Sequence, residues 1–285
     1  MVIDCAGAAK IINLLIFTNK KRCFNCNVGD TAVSFLRHRE EAANQSGGQV
    51  SCVMKPFSRF IPQIEMCHEY IDLRPQQRLD HTNARRDVVS VREGALAVEA
   101  VLPIGRRHIL DFLLPGDMVT PSSLLSSSAF PAISIRAVTR AALVCVDHRA
   151  TASADRVPDE YWETLFAQAQ AQLARANAHR LMIGHLDTTS RVASFLLAIA
   201  LRTCGGAQSN LRFALPMSRD DIADYLAMNS DTLSRIMMRF ESLALIERVN
   251  RREVHVDDIN KLKRHSPIAP LLSSAFELRR PQYAI

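Results

Sequence analysis

The chain has 285 residues, 48% of them hydrophobic and 22% charged, so it can bury a real core and is long enough for two domains. This balance excludes a disordered polyampholyte, and no apolar run reaches the roughly 18–20 residues of a membrane span. The net charge of +6 leans toward an anionic partner such as nucleic acid, although bulk charge alone does not identify one.

In chain order, residues 1–50 read as a poorly organised segment closing in the polar run Asn44-Gln45-Ser46-Gly47-Gly48. The apolar stretch 11–17 has Lys20-Lys21-Arg22 after it rather than before it, the wrong charge order for a secretory signal, so a cytoplasmic protein is expected. Seven irregularly spaced cysteines do not form a disulfide framework. From Val88 the texture becomes short β-like runs: 88–91, 95–102, 107–114, 133–138 and 142–146. Gly94, Gly105 and Pro115-Gly116 fall between them. Strands at about ten-residue spacing with such punctuation predict a compact all-β sandwich or barrel.

After Pro158 the period becomes helical. Trp162, Phe166, Ala169, Leu173 and Ala176 recur at spacings of four and three, a seam for pairing with another helix, interrupted at Arg180. Packing of that helix on its own β domain is the alternative. A second helix over 189–202 carries Val192, Phe195, Leu196, Ile199 and Ala200 on one face and ends at Cys204-Gly205-Gly206.

The next segment carries the chemistry. Ser218 can cap a helix with Asp220 and Asp221 in its first turn and Ile222, Ala223, Tyr225 and Leu226 on its buried side. Ala227-Met228-Asn229 makes a three-residue turn, and Asn229 caps a second helix from Ser230 to about Leu243. There Leu233, Ile236, Met237, Phe240 and Leu243 are expected to pack inward. Ser230, Asp231, Ser234, Arg235, Met238 and Arg239 face outward. Short polar side chains and an arginine in the first two turns suit a helix that reads base edges in the major groove. Residues 245–249 and 253–256 form a predicted hairpin wing, whose tip offers Arg251 and Arg252 to phosphate.

These residues resemble the CRP/FNR superfamily, in its FNR and FixK branch. The likeness covers about Val88 to Ile259 and is strong over Arg191–Val256; it includes Phe112-Leu113-Leu114-Pro115-Gly116-Asp117, Thr189-Ser190-Arg191-Val192-Ala193 and Asp231-Thr232-Leu233-Ser234-Arg235, the last similar to the family's Glu-x-x-Ser-Arg. It implies an α+β fold: a cyclic-nucleotide-binding-like β-roll (51–157), a dimerisation helix (158–187), a winged helix-turn-helix (188–262) and a tail (263–285). It also implies a homodimeric activator acting with RNA polymerase on double-stranded DNA, at a two-fold TTGAT-N4-ATCAA-like site, in low-oxygen or nitrogen-oxide metabolism. By the same resemblance Asp231, Ser234 and Arg235 touch bases, and Asp231 stands one methylene short of the family's Glu. No membrane partner is expected.

The region 122–133 lacks the acid and the arginine of the family's cyclic-nucleotide pocket, which argues against cyclic AMP. An alternative implied by the FNR members is an iron–sulfur cluster on Cys23, Cys26, Cys52 and Cys145. Against it, Cys145 in Leu143-Val144-Cys145-Val146 fits a small core residue, so no cofactor is the leading expectation. An enzyme is not expected, because no P-loop, G-x-G-x-x-G, H-E-x-x-H or nucleophile elbow is found. His179 and His185 are six residues apart and read as packed or surface residues.

Overall fold

The computed structural model describes residues 68–79, 88–101, 105, 107–120, 133–146, 159–204, 209–250 and 252–277. Seven strands come first: β1 (His68–Leu73), β2 (Val88–Glu93), β3 (Leu96–Val101), β4 (Arg107–Leu113), β5 (Met118–Val119), β6 (Ile133–Ala137) and β7 (Ala141–Val146). They form two antiparallel sheets, in the orders β1-β7-β2-β5 and β4-β3-β6. The expected all-β unit is therefore present, with β1 added upstream of the runs that sequence pattern picked out.

The chain changes sheets between β2 and β3 at Gly94, whose φ of +84° favours glycine. A Cβ there would lie 2.2 Å from the Arg140 carbonyl oxygen, so a side chain is excluded as well as strained. Val89, Val91, Leu143 and Cys145 of one sheet pack against Leu96, Val98, Leu113 and Ile135 of the other to fill the space between them.

Two long helices follow, α1 (Asp159–His185) and α2 (Thr188–Thr203). Asp187 separates them and caps α2, its Oδ1 accepting from the Thr189 and Ser190 amides at 2.9 and 3.1 Å. Hydrogen bonds from Ser190 hold the Asp187 carboxyl below its ordinary pKa. Cys204 ends α2, as expected, its amide donating to the Ala200 carbonyl.

The C-terminal part contains β8 (Ser209–Ala214), α3 (Arg219–Tyr225), α4 (Ser230–Ser242), β9 (Glu247–Asn250), β10 (Glu253–Asp258), α5 (Ile259–Arg264) and α6 (Ala269–Glu277). The third sheet has the order β8-β10-β9, so the predicted hairpin gains a strand from before the helix-turn-helix. Within 263–285, read from sequence as a tail, α6 packs against α2 and α1 and buries Ala269, Leu272 and Ala275. The Ser194 and Ser266 hydroxyls meet at 2.8 Å beneath it. Among the described residues no helix is long and apolar enough to cross a membrane.

The β sandwich and the C-terminal part share one buried apolar cluster. Ala97, Ile109 and Phe112 from the β4-β3-β6 sheet join Phe195 and Ile199 of α2 and Tyr225 of α3. Phe112 and Tyr225 rings lie 5.3 Å apart.

Candidate nucleic-acid interface

The helix-turn-helix is fixed at every end. Ser218 caps α3, its Oγ accepting from the Asp221 amide at 3.0 Å, and Ile222, Ala223, Tyr225 and Leu226 are buried as expected. At the far end Ala227 takes φ +51°, its amide donates to the Asp224 carbonyl and the Met228 amide donates to the Ala223 carbonyl. This pair of bonds is a Schellman closure, with alanine where glycine is usual. Asn229 then caps α4, its Oδ1 accepting from the Asp231 amide at 2.8 Å.

α4 also closes with a Schellman pair, Ala244 (φ +49°) to the Glu241 carbonyl and Leu245 to the Phe240 carbonyl. That closure corrects one expectation. Leu233, Ile236 and Phe240 are buried and Met237 half-buried, but Leu243 is 52% exposed. The left-handed turn at Ala244 swings the chain so that Leu245 enters the core in its place.

The opposite face of α4 carries the predicted contacts. Asp231, Arg235, Met238 and Arg239 are exposed, and Ser230 and Ser234 are half-buried. Among the described residues the Asp231, Arg235 and Arg239 side chains make no hydrogen bond or ion pair within the chain. Arg252 is exposed at the wing tip, and its amide donates to Asn250 Oδ1 at 2.8 Å. Arg251 lies outside the described residues. A cleft of about 350 Å³ opens between α4 and the wing, with Ser234, Met237 and Glu241 on one side and Arg248 and Asn250 on the other.

Two features that position this surface escaped the sequence reading. Arg248 on β9 forks onto Glu241 in the last turn of α4, Nε to Oε1 at 2.5 Å and Nη2 to Oε2 at 2.6 Å. These bonds hold the Glu241 carboxyl below its usual range and raise the Arg248 guanidinium. Such a two-point pair fixes the angle between helix and wing. Arg191 on α2 donates to four carbonyls: Ile183 and Leu186 at the end of α1, at 3.0 and 2.9 Å, and Leu226 and Ala227 in the turn, at 3.1 and 3.3 Å. A cation set against two helix C-termini suits their dipoles and ties the turn to the α1–α2 corner. The residue is visible in the quoted Thr189-Ser190-Arg191 run; its partners are carbonyls, which carry no sequence signal.

The β sandwich grips α3 through charge. Buried Arg136 donates to Glu99 Oε2 at 3.1 Å and to Asp221 Oδ1 at 2.9 Å. Arg107 reaches Asp221 Oδ1 at 3.1 Å and Asp224 Oδ2 at 3.3 Å. Asp221, read from sequence as a helix-dipole residue, is therefore also the anchor of its helix. In a second network Asp117 of the Pro115-Gly116-Asp117 turn accepts from the Leu114 amide at 2.8 Å and pairs with Arg202 at 2.5 Å. Arg175 of α1 meets Asp111 at 3.1 Å beside it. Proximity to Asp111 and Asp117 raises the Arg175 guanidinium against the opposing effect of burial.

Cys145 is buried in the aliphatic filling between the sheets, while Cys23, Cys26 and Cys52 lie outside the described residues. Among the described residues no group of three or more His, Cys, Asp or Glu side chains is arranged to hold a metal ion. An aliphatic surround suits a core thiol. His179 is buried and His185 exposed. Of the region 122–133, read against a cyclic-nucleotide pocket, residues 122–132 lie outside the described residues.

A helix-turn-helix with a three-stranded wing, its outward helix lined by unpaired polar and basic groups, defines a DNA-binding domain of the winged-helix class. Residues 190–265 match the Crp-like helix-turn-helix domain. The nitrogen fixation regulation protein FixK of Rhizobium meliloti is 32% identical over 166 residues, covering 58% of this chain and 72% of that protein. The transcriptional activator protein FnrA of Stutzerimonas stutzeri is 30% identical over 182 residues, covering 60% and 69%. The structure of FixK2 from Bradyrhizobium japonicum is similar with a TM-score of 0.57 at 24% identity, over 70% of this chain and 98% of that one, a likeness of fold. The chain belongs to the CRP/FNR family of transcription regulators, in its FixK-like branch.

Proposed function

We propose that the protein is a homodimeric activator that reads a two-fold TTGAT-N4-ATCAA-like site through Asp231, Ser234 and Arg235. Ser218, Ser230, Arg239, Arg251 and Arg252 hold the DNA backbone. The observation that carries this reading is the outward face of α4, where Asp231 and Arg235 stand exposed and unpaired on a helix locked by caps at both ends. An exposed, unpaired arginine breaks no internal bond on turning to guanine O6 and N7, and a helix held at both ends presents it at a fixed height in the groove.

Dimerisation is supported by α1. Tyr161, Ala171, Arg175, Ala178, His179 and Met182 face inward and are buried. Trp162, Ala169, Phe166 and Leu173 face outward, the last two 66% and 59% exposed. The four-three seam is thus the face the chain leaves bare, and packing on the chain's own β sandwich is done by the other side. A long helix with one apolar stripe open to water is stabilised by a second copy, and two copies match two half-sites. Activation, and contact with RNA polymerase, rest on the likeness to a relative named as a transcriptional activator. No cofactor enters the reading, in which DNA binding needs only the folded dimer.

The test is fluorescence-anisotropy binding of aerobically purified full-length protein to the TTGAT-N4-ATCAA duplex and to a scrambled duplex at one salt concentration. Preference for the site in air is expected, which also argues against an obligatory oxygen-labile cluster on Cys23, Cys26, Cys52 and Cys145. Equal binding to both duplexes, aerobically and after anaerobic purification, contradicts the reading.

A further inference from the structure

One large apolar side chain stands in the middle of the polar reading face. Met238 is 54% exposed, while the other apolar residues of α4 at Leu233, Ile236 and Phe240 are buried. At about 100° per residue it projects within about 20° of Asp231, between the directions of Ser234 and Arg235. Asp231, Ser234, Arg235 and Met238 are thus an i, i+3, i+4, i+7 set. Three-helix readers of the helix-turn-helix type use that spacing for the four side chains that reach base edges. The rise from Asp231 to Met238 is about 10 Å, or about three base-pair steps. Ser234 at the centre of the set also lines the cleft against the wing, and the Arg248–Glu241 fork holds the C-terminal half of α4 there.

Of the groups that base pairs present in the major groove, only the thymine C5-methyl is apolar. A methionine is long, unbranched and adaptable, so its thioether end can cover that methyl without a fixed rotamer. We propose that Met238 is a specificity-determining residue that selects thymine by apolar contact with its C5-methyl group. This rests on the reading of α4 as the recognition helix and adds a fourth base position to the three assigned to Asp231, Ser234 and Arg235.

The test uses the full chain and the duplex it enriches from a randomised pool, so that it does not depend on the site named above. Each thymine of that duplex is replaced in turn, in both half-sites, by deoxyuridine, which lacks only the methyl group. The wild type should lose about fourfold in affinity per half-site at one thymine position, the worth of one buried methyl. Met238→Ala and Met238→Gln should bind the thymine duplex more weakly by the same factor and no longer distinguish it from the deoxyuridine duplex at that position. Sensitivity at other thymines should persist in both variants. An exposed site makes both substitutions neutral for folding. Full retention of the thymine preference in the variants overturns the proposal and leaves the recognition helix intact, as does a wild type indifferent to every methyl. Failure to enrich any sequence overturns the reading of α4 and this proposal with it.

Discussion

His179 shows how one side chain can couple the stability of this fold to pH. Its Nε2 donates to the Tyr225 carbonyl at 2.7 Å and its ring stacks on Tyr225 at 4.0 Å, with His108 at 6.2 Å. Burial, aided by His108, pushes its pKa below the ordinary 6.5, outweighing the bond to the carbonyl. The unfolded chain therefore takes up the proton first as pH falls, and stability is lost on going down through about 6.5. The thermal midpoint should fall between pH 7 and pH 5, and His179→Gln should flatten that slope. A tenfold difference in proton affinity is worth about 1.4 kcal/mol. A wild-type midpoint rising toward pH 5 would contradict this placement of His179.

At the scale of elements, α1 divides its residues by face. The inward side binds the β sandwich through Leu165 and Tyr161, through Gln168 to the Gly116 carbonyl at 3.1 Å and through Gln172 to the Met118 carbonyl. The outward side leaves Phe166 and Leu173 exposed. Phe166→Asp should leave the circular-dichroism spectrum unchanged and shift the sedimenting species from twice 31.8 kDa to the single-chain mass. A variant that stays dimeric would place the interface elsewhere. This stripe was legible in the sequence because side chains at three and four residues apart share a helix face. The caps Ser218 and Asn229 were legible for the same local reason, as were the two reader helices. β8 was not, since Ser209–Ala214 buries only Leu211 and Phe213 and owes its strand state to pairing with β10. Leu243 was misplaced because the alanine at positive φ that redirects the chain gives no glycine signal.

For the molecule as a whole, the reader is held against the β sandwich by a buried charge network rather than by a simple linker. Glu99, Arg136 and Asp221 are each almost fully buried, and they come from β3, β6 and α3, far apart in sequence. Nothing local marks such a triad, so only the residue types were visible beforehand; the outward set of α4 from Asp231 to Met238, by contrast, spans eight consecutive positions. Arg136→Ala removes the buried cation between Glu99 and Asp221, leaving them the part-exposed Arg107 at 3.5 and 3.1 Å, and should cost about 1.5–3 kcal/mol in urea unfolding. A loss under about 1 kcal/mol would show that solvent reaches the network.

In the proposed complex Arg235 reads bases while Arg252 holds backbone. The most direct measurement titrates wild type, Arg235→Ala and Arg252→Ala against the specific and scrambled duplexes over a series of salt concentrations. Arg235→Ala is expected to lose the preference for the specific duplex. Arg252→Ala should keep that preference, bind both duplexes more weakly, and lower the salt slope by about one for each phosphate contact removed. A preference that survives Arg235→Ala, or one that vanishes with Arg252→Ala alone, would contradict these roles.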